Sequence, residues 1–281
     1  MTNSTAPTLR EALRLGMERL AGSASAVRDA ELLLMGAAGC DRVALLTHGE
    51  RVLSSEENAR YSGYLERRAA HEPVQYILGE QEFFGLRFEL TPDVLIPRPE
   101  TEHLVEELLA LVPHDRAVRI ADVGTGSGAI AVALAHRLPL ARITAVDISP
   151  AALAVARRNA AAHGVEGRIE FLESDLLDVV AGQLFDAVVS NPPYVAESEQ
   201  LEPQVRDYEP RGALFAGASG LEIFERLIPQ AAEGLAPRGW LLLEIGAGQG
   251  SALRGILREW NEVRFVADLQ GIARVAFARR R

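Results

Sequence analysis

The run Asn191-Pro192-Pro193-Tyr194 has the chemistry of a site that holds an amino group. Prolines carry no N–H, so the run offers hydrogen-bond acceptors and almost no backbone donors. Asn191 and Pro192 each precede a proline, which keeps them extended. The Asn191 side-chain carbonyl and the Pro192 backbone carbonyl can accept both hydrogens of a planar –NH2 group, on which Tyr194 can stack. We therefore assign Asn191, Pro192 and Tyr194 to catalysis and Pro193 to substrate binding; the alternative is a proline turn that ends a strand.

A glycine-rich loop lies earlier in the chain, Gly124-Thr125-Gly126-Ser127-Gly128, between a predicted strand and a predicted helix. Glycines let the backbone turn sharply and approach a ligand closely. Roughly twenty residues later, Asp147 ends the next predicted strand, where its carboxylate can accept the hydroxyl hydrogens of a ribose. The loop and Asp147 together predict a site for an adenosine-bearing cofactor.

The identity of that cofactor is open on this motif alone. Gly124-x-Gly126-x-x-Ala129 also fits a dinucleotide fingerprint, so a nicotinamide enzyme is an alternative. The additional Gly128, together with an antiparallel strand at the end of the chain, favours S-adenosylmethionine. The Asn-Pro-Pro-Tyr run is a site that can hold an amino group. Together with this cofactor, it predicts transfer of a methyl group to a nitrogen atom.

Two further segments are weaker candidates. Asp175 follows the third predicted strand, where it could accept from the adenine amino group while Leu176 covers the ring; the alternative for Asp175 is a helix N-cap. The second glycine run, Gly246–Gly250, is better explained as a tight strand-to-helix turn than as a second ligand site.

The secondary structure predicted to position these residues changes along the chain. Residues 1–80 are predicted to form a helical bundle, with capping boxes at Thr8 and Ser54. Residues 81–98 are predicted to form a hairpin linker, because Phe83–Phe88 is β-prone around a glycine. Pro99 is predicted to be the first residue of the helix that follows.

Residues 99–281 alternate between strands and helices, which predicts a largely parallel sheet covered on both faces. The predicted strands are Val118–Val123, Ile143–Asp147, Ile169–Leu172, Ala187–Ser190 and Trp240–Ile245, and the predicted helices include Glu100–Val112, Ala129–Leu138, Pro150–His163 and Leu221–Leu235. Val263–Ala267 and Arg274–Ala278 are joined by a short link, which predicts a hairpin and hence one antiparallel edge strand.

Composition limits the possible functions. The formal net charge is −10, which argues against a general role in binding nucleic acid. Cys40 is the only cysteine and the six histidines are scattered, so we expect no disulfide within the chain and no metal site. The polar N-terminus is unlike a signal peptide and no apolar run approaches the roughly 20 residues that span a bilayer, so we expect a soluble, cytoplasmic protein.

Several motifs together resemble one family over nearly the full chain. Asp122–Ala131 and Asn191–Tyr194 are typical of amino-methylating enzymes, and more specific stretches accompany them: Pro73–Gly79, Phe83–Leu86, Ile96–Glu102 and Tyr208–Pro210. The chain thereby resembles the bacterial peptide chain release factor glutamine methyltransferases. Some members have an aromatic residue at the position of Leu176.

The resemblance implies a function for the chain and a role for each of its parts. It implies methylation of the side-chain amide of the glutamine in the Gly-Gly-Gln motif of class-1 release factors. The family fold implied is a helical N-terminal domain, a hairpin linker and a seven-stranded methyltransferase domain. Gly124–Gly128, Asp147 and Asn191 would bind S-adenosylmethionine, and Asn191–Tyr194 would hold the target glutamine.

These implications extend to the partners of the chain and to the residues Arg98 and Phe84. The helical domain would dock the release factor, and the enzyme would be a monomer that does not bind DNA. Arg98 would contact substrate, or else cap a helix or pair with a carboxylate; Phe84 would contact substrate, or else belong to the hairpin core. The alternatives are an enzyme that methylates adenine or guanine amino groups in nucleic acid, and a nicotinamide enzyme or nucleotide-binding regulatory module.

Overall fold

The computed structural model describes residues 6–268 and 270–281. They divide into two compact units. The first unit runs to Gly79 and also includes the later segment Glu202–Tyr208, whereas the second comprises Glu80–Leu201 and Glu209–Arg281. The hairpin predicted as a linker therefore belongs to the second unit.

The first unit is helical, as its apolar spacing predicts. Its helices are α1 (Leu9–Arg19), α2 (Ala26–Ala38), α3 (Arg42–Thr47), α4 (Ser55–Ala69), α5 (Val74–Leu78) and the later α9 (Pro203–Arg206). Both predicted capping boxes are confirmed, at Thr8 with Glu11 and at Ser54 with Glu57. Each pairs two backbone N–H groups that a helix start leaves without intrahelical partners.

One apolar core holds this unit together, and polar contacts accompany it. Arg68 and Asp29 form an ion pair at 2.7 Å with both side chains almost fully buried. Tyr208 donates its hydroxyl hydrogen to the carbonyl of Ala70 at 2.7 Å, which ties the Glu202–Tyr208 segment to the end of α4.

The second unit begins with a tight hairpin. Strands β1 (Glu80–Phe83) and β2 (Leu86–Glu89) pair antiparallel across two residues, Phe84 and Gly85, that both have positive φ. Two such residues in succession suit the right-handed twist of a two-residue hairpin, although a phenylalanine is strained there. Phe83 and Phe88 are fully buried in the core of this unit.

The main sheet has seven strands in the order β10-β11-β9-β6-β3-β4-β5. Their bounds are β3 (Arg119–Val123), β4 (Arg142–Asp147), β5 (Ile169–Glu173), β6 (Phe185–Ser190), β9 (Leu235–Glu244), β10 (Asn261–Ala267) and β11 (Ala273–Arg279). The predicted antiparallel pair at the sheet edge is confirmed: β10 is outermost, and β11 runs antiparallel to both β10 and β9. The other pairs, from β9 through β5, are parallel.

Helices cover both faces of this sheet, which gives it two apolar cores. The helices of this unit are α6 (Pro99–Leu111), α7 (Ala129–Arg137), α8 (Pro150–Ala162), α10 (Arg211–Leu214), α11 (Glu222–Gly234) and α12 (Gly250–Ile256), with 3₁₀ turns at Glu166–Arg168, Asp178–Val180 and Leu257–Glu259. Pro99 is the first residue of α6, as predicted. A small parallel pair, β7 (Val195–Ala196) with β8 (Phe215–Gly217), was not predicted from the sequence.

Among the described residues, no helix combines the length and the apolar character that crossing a membrane requires.

Candidate active site

The register of the parallel strands places the predicted motifs side by side. Val123 at the end of β3 pairs with Ser190 of β6 and with Val146 of β4. The next residue on each strand is therefore at the same carboxyl edge: Gly124, Asn191 and Asp147. Ser190 also donates its hydroxyl hydrogen to the carbonyl of Val123 at 2.7 Å, which fixes the two strand ends to each other.

The glycine loop forms an open cradle. Gly124 and Gly126 both have positive φ, and a Cβ added to either would meet no atom within 4 Å. A side chain there would thus occupy free space at the sheet edge rather than collide with protein. Gly128 differs, because its Cβ would lie only 3.1 Å from the Cβ of Ala156, so this glycine permits close packing of the loop on α8.

The loop's N–H groups are largely used within the protein. Those of Gly124 and Thr125 donate to the carbonyl of Val146, and that of Gly126 donates to the Asp147 carboxylate at 2.8 Å. A dinucleotide site needs free N–H groups at this loop for its pyrophosphate. The cradle is therefore poorly suited to a pyrophosphate, and its carboxylate is compatible with adenosine that carries a cationic group.

Asp147 is held in place through both carboxylate oxygens. Oδ2 accepts from the N–H of Gly126 and Oδ1 from the N–H of Ser149 at 2.9 Å. Burial raises the pKa of this carboxyl, while the hydrogen bonds from Ser149 and Gly126 lower it. Each oxygen keeps a second lone pair, so the oriented carboxylate can also accept from ribose hydroxyls.

A second acid lies beneath the loop. Asp122 is fully buried at the end of β3, and Thr125 donates its hydroxyl hydrogen to it at 2.6 Å. Burial raises the pKa of Asp122 to about 7. Asp122 therefore supports the loop from beneath through Thr125 and is itself inaccessible to a ligand.

The run Asn191–Tyr194, called the transfer motif below, is connected to a buried acid that sequence reasoning did not identify. Glu244, the last residue of β9, is 2% exposed, and burial raises its pKa to about 7. Thr101 donates its hydroxyl hydrogen to Glu244 Oε2 at 2.5 Å and accepts from Asn191 Nδ2 at 3.2 Å. Tyr194 donates its hydroxyl hydrogen to Glu244 Oε1 at 3.4 Å. Burial also raises the pKa of Tyr194 above its ordinary value.

The second glycine turn supports the transfer motif rather than forming a ligand cradle. It joins β9 to α12, and Gln249 in this turn donates to the carbonyls of Tyr194 at 2.9 Å and Gly220 at 3.1 Å. The same side chain accepts from the N–H of Gly246. A Cβ at Gly246 would lie 3.1 Å from the Tyr194 ring, so a glycine there makes room for the tyrosine.

Arg98 lies at the start of α6 and pairs with a carboxylate, one of its predicted alternatives. Glu209 is almost fully buried and accepts from Arg98 and from the N–H of Ile96 at 3.2 Å. About a third of the Arg98 side chain remains exposed, and its charge helps to lower the pKa of Tyr194 against the effect of burial. Arg98 is therefore anchored close to the transfer motif.

The residues predicted for the adenine pocket are positioned less directly. Asp175 is exposed and forms an ion pair with Arg226 at 2.6 Å rather than capping a helix. Leu176 has positive φ and is partly buried against one core of the sheet. Their adenine role stays a prediction.

Phe84 is not brought to this group of residues. Its N–H donates to Glu102 at 2.8 Å, and the guanidinium of Arg137 lies 5.6 Å from its ring centre. Arg137 is the last residue of α7, whereas the glycine loop precedes the first. The ring of Phe84 therefore packs at the opposite end of α7 from the cofactor cradle.

Four site residues received no role of their own from the sequence: Thr101, Glu244, Gln249 and Glu209. Thr101 and Glu209 lie within the family-specific stretches Ile96–Glu102 and Tyr208–Pro210. Glu244 had a detectable signal, because a carboxylate at the end of the apolar run Trp240–Leu243 repeats the pattern of Asp122 and Asp147. The polar side chains of Thr101 and Gln249 give no comparable signal, since their partners lie on other elements.

The site combines a seven-stranded sheet, a cradle that suits a cationic adenosine, and a row of acceptors for an amino group. This combination defines the class as S-adenosylmethionine-dependent methyltransferases. Residues 11–79 match the family model "PrmC N-terminal domain" and residues 100–207 match "Methyltransferase small domain". The ribosomal protein L11 methylase of Lactobacillus delbrueckii subsp. bulgaricus is a similar solved structure, with a TM-score of 0.50, 25% identity and coverage of 66% of this chain and 81% of that one.

Curated relatives identify the family within this class. The release factor glutamine methyltransferase of Koribacter versatilis is 47% identical over 97% of this chain and 99% of its own length. That of Geobacter sulfurreducens is 48% identical over 84% of this chain and 82% of its own length. The chain belongs to the release factor glutamine methyltransferase family.

Proposed function

We propose that this enzyme transfers the methyl group of S-adenosylmethionine to the side-chain amide nitrogen of the glutamine in the Gly-Gly-Gln motif of class-1 peptide chain release factors. The names of its relatives supply the substrate. The observation that carries the proposal is the position of Asn191, at the strand end next to Gly124 and hydrogen-bonded through Thr101 to a buried acid.

The residues that would hold the cofactor are those of the cradle. Asp147 would accept from the ribose, and Asn191 would lie beside the cofactor. The loop Gly124–Gly128 would hold the ligand at the strand ends, where Gly124 and Gly126 leave room for it. Asp175 and Leu176 are proposed for the adenine end. When bound, S-adenosylmethionine supplies an electrophilic methyl group on a positively charged sulfur.

The transfer motif prepares the nucleophile. Asn191 Oδ1 and the Pro192 carbonyl accept the two hydrogens of the substrate amide, which fixes the direction of its nitrogen lone pair. These bonds strengthen as the nitrogen becomes positive, so they stabilise the transition state more than the bound substrate. Tyr194 packs on the flat amide, and its own carbonyl is held by Gln249. A proton leaves the nitrogen for solvent after transfer, so no strong base is needed beforehand.

A glutamine side chain is a small target, so selectivity requires contacts elsewhere on the release factor. We propose that the first unit provides them. Its surface carries large exposed apolar side chains on α3, Val43 at 67% and Leu46 at 68% exposed. We further propose that Arg98 meets the substrate loop, and that the enzyme acts as a cytoplasmic monomer. The acidic net charge and the names of the relatives favour a release factor over nucleic acid as substrate.

Mass spectrometry of a release factor incubated with the full chain and S-adenosylmethionine tests the proposal. We expect one added methyl group on the peptide that contains Gly-Gly-Gln, and none after its glutamine is replaced. Asn191→Ala should lower turnover by at least about a hundredfold, because it removes a preorganised partner of the transition state. Equal labelling of the glutamine-replaced factor, or preferential labelling of DNA or ribosomal RNA, would contradict the substrate assignment.

A further inference from the structure

The buried carboxyl group of Glu244 contacts the transfer motif through two hydroxyl groups. β9 lies between β6 and β11, and Glu244 at its end is 2% exposed. Thr101 of α6 donates to one of its oxygens and Tyr194 to the other. Glu244 belongs to no predicted cofactor or substrate contact, yet one intervening residue separates it from Asn191.

The number of hydrogens available sets the direction of this chain of bonds. The Thr101 hydroxyl has a single hydrogen, and an ionised carboxylate can only accept, so that hydrogen goes to Glu244. Thr101 Oγ1 then presents only lone pairs to Asn191, whose Nδ2 must be the donor across their 3.2 Å contact. An amide carries its oxygen and its nitrogen on opposite sides. Asn191 Oδ1 is therefore directed away from Thr101 and remains available as an acceptor.

We propose that Thr101 and Glu244 are positioning residues that fix the Asn191 amide with its carbonyl oxygen toward the substrate amide. This inference rests on the proposed function, in which Asn191 Oδ1 accepts from the substrate nitrogen. An Asn191 amide turned over would bring its own –NH2 group against the –NH2 group of the substrate, donor against donor. The pair therefore determines which end of Asn191 the substrate meets.

Protonation of Glu244 would reverse this arrangement. The charged and titratable groups around it are Glu100 of α6, Arg274 of β11 and Tyr194. Burial raises the pKa of Glu244 to about 7, Glu100 raises it further, and Thr101, Tyr194 and Arg274 lower it. A protonated Glu244 can donate to Thr101 Oγ1, which frees the hydroxyl hydrogen for Asn191 Oδ1 and turns the amide over.

Thr101→Val tests the proposal, because it removes the hydroxyl group and nearly preserves the shape. We expect kcat on release factor at about pH 8 to fall roughly 10- to 100-fold, as for a misoriented catalytic group. The KM for release factor and the calorimetric affinity for S-adenosylmethionine should each change less than about threefold, since no proposed binding contact is removed. Thr101→Ser, which restores the hydroxyl group, should recover turnover. Thr144→Val is the matched control, because Thr144 is also buried but lies within β4.

Two further readouts separate positioning from a general loss of structure. The ratio of wild-type to Thr101→Val kcat should decline toward one as the pH falls from about 8 to about 6, because protonation of Glu244 disables the wild-type arrangement. Independently of any substrate, the side-chain amide protons of Asn191, assigned through their loss in Asn191→Asp, should exchange with water faster in Thr101→Val than in wild type.

Turnover of Thr101→Val within about threefold of wild type, or equal exchange of the Asn191 amide protons in the two proteins, would overturn the inference. Failure of the wild-type enzyme to methylate release factor would instead refute the proposed function, and the exchange measurement would still decide whether Thr101 holds the amide.

Discussion

Replacement of Asp147 by alanine is the sharpest test of the cofactor site. The carboxylate accepts from the N–H groups of Gly126 and Ser149 and keeps one lone pair on each oxygen for the ribose. A hydrogen bond to a charged group contributes about 1.5–3 kcal/mol, so losing one weakens affinity by roughly 10- to 150-fold. The loss of a second bond, and the freed N–H of Gly126 in the cradle itself, would add to this effect.

The assay is calorimetric titration of each variant with S-adenosylmethionine, after thermal unfolding confirms that the variant is folded. Asp147→Asn should also bind weakly, because its –NH2 group must face the N–H of either Gly126 or Ser149. Asp186→Ala is the matched control: this carboxylate also accepts from a backbone N–H, that of Arg119, but at the opposite edge of the sheet. Unchanged affinity of folded Asp147→Ala would mean that Asp147 does not bind the ribose.

Two further predictions concern stability and docking. Burial raises the pKa of Glu244 from 4.5 to about 7, so the folded chain keeps a proton that the unfolded chain has released. Its contribution to stability is complete below about pH 4.5 and is lost as the pH rises to about 7, by up to about 3 kcal/mol. Urea unfolding of Glu244→Gln should therefore show a smaller decline of the free energy of unfolding over this range than wild type, and an identical decline would refute the assignment. Leu46→Asp should raise the KM for release factor by roughly 5- to 30-fold, as for a lost apolar contact of about 1–2 kcal/mol, with unchanged affinity for S-adenosylmethionine. Leu140→Asp, at an exposed apolar position of the second unit, is its control, and an equal effect of both changes would exclude a specific docking surface on α3.

Local patterns were sufficient to predict the elements that carry the site. The strand before Gly124, the strand that ends at Asp147 and the strand before Asn191 are largely apolar runs with clear ends, because strands buried on both faces are rich in apolar residues. Their carboxyl ends meet at one edge in any parallel sheet, so the proximity of Gly124, Asp147 and Asn191 follows from sequence once the strands are parallel.

The boundaries that depended on tertiary contacts were not predictable in this way. β9 begins at Leu235 rather than near Trp240, because its first residue pairs with Phe185 of β6. Glu202–Tyr208 groups with the N-terminal helices, although it lies among residues of the methyltransferase unit in the chain. Contacts between residues so far apart in the chain leave no periodic pattern in the local sequence, so these boundaries could not be predicted from it.

The same limit applies within the site. The sequence by itself determined which residues could accept from an amino group and where they follow a strand, since proline geometry and glycine freedom are local properties. Only the tertiary structure decided which end of the Asn191 amide faces Thr101. That direction depends on Thr101, 90 residues away in the chain, and on Glu244, 143 residues beyond Thr101, because a hydrogen bond is defined by where donor and acceptor meet in space.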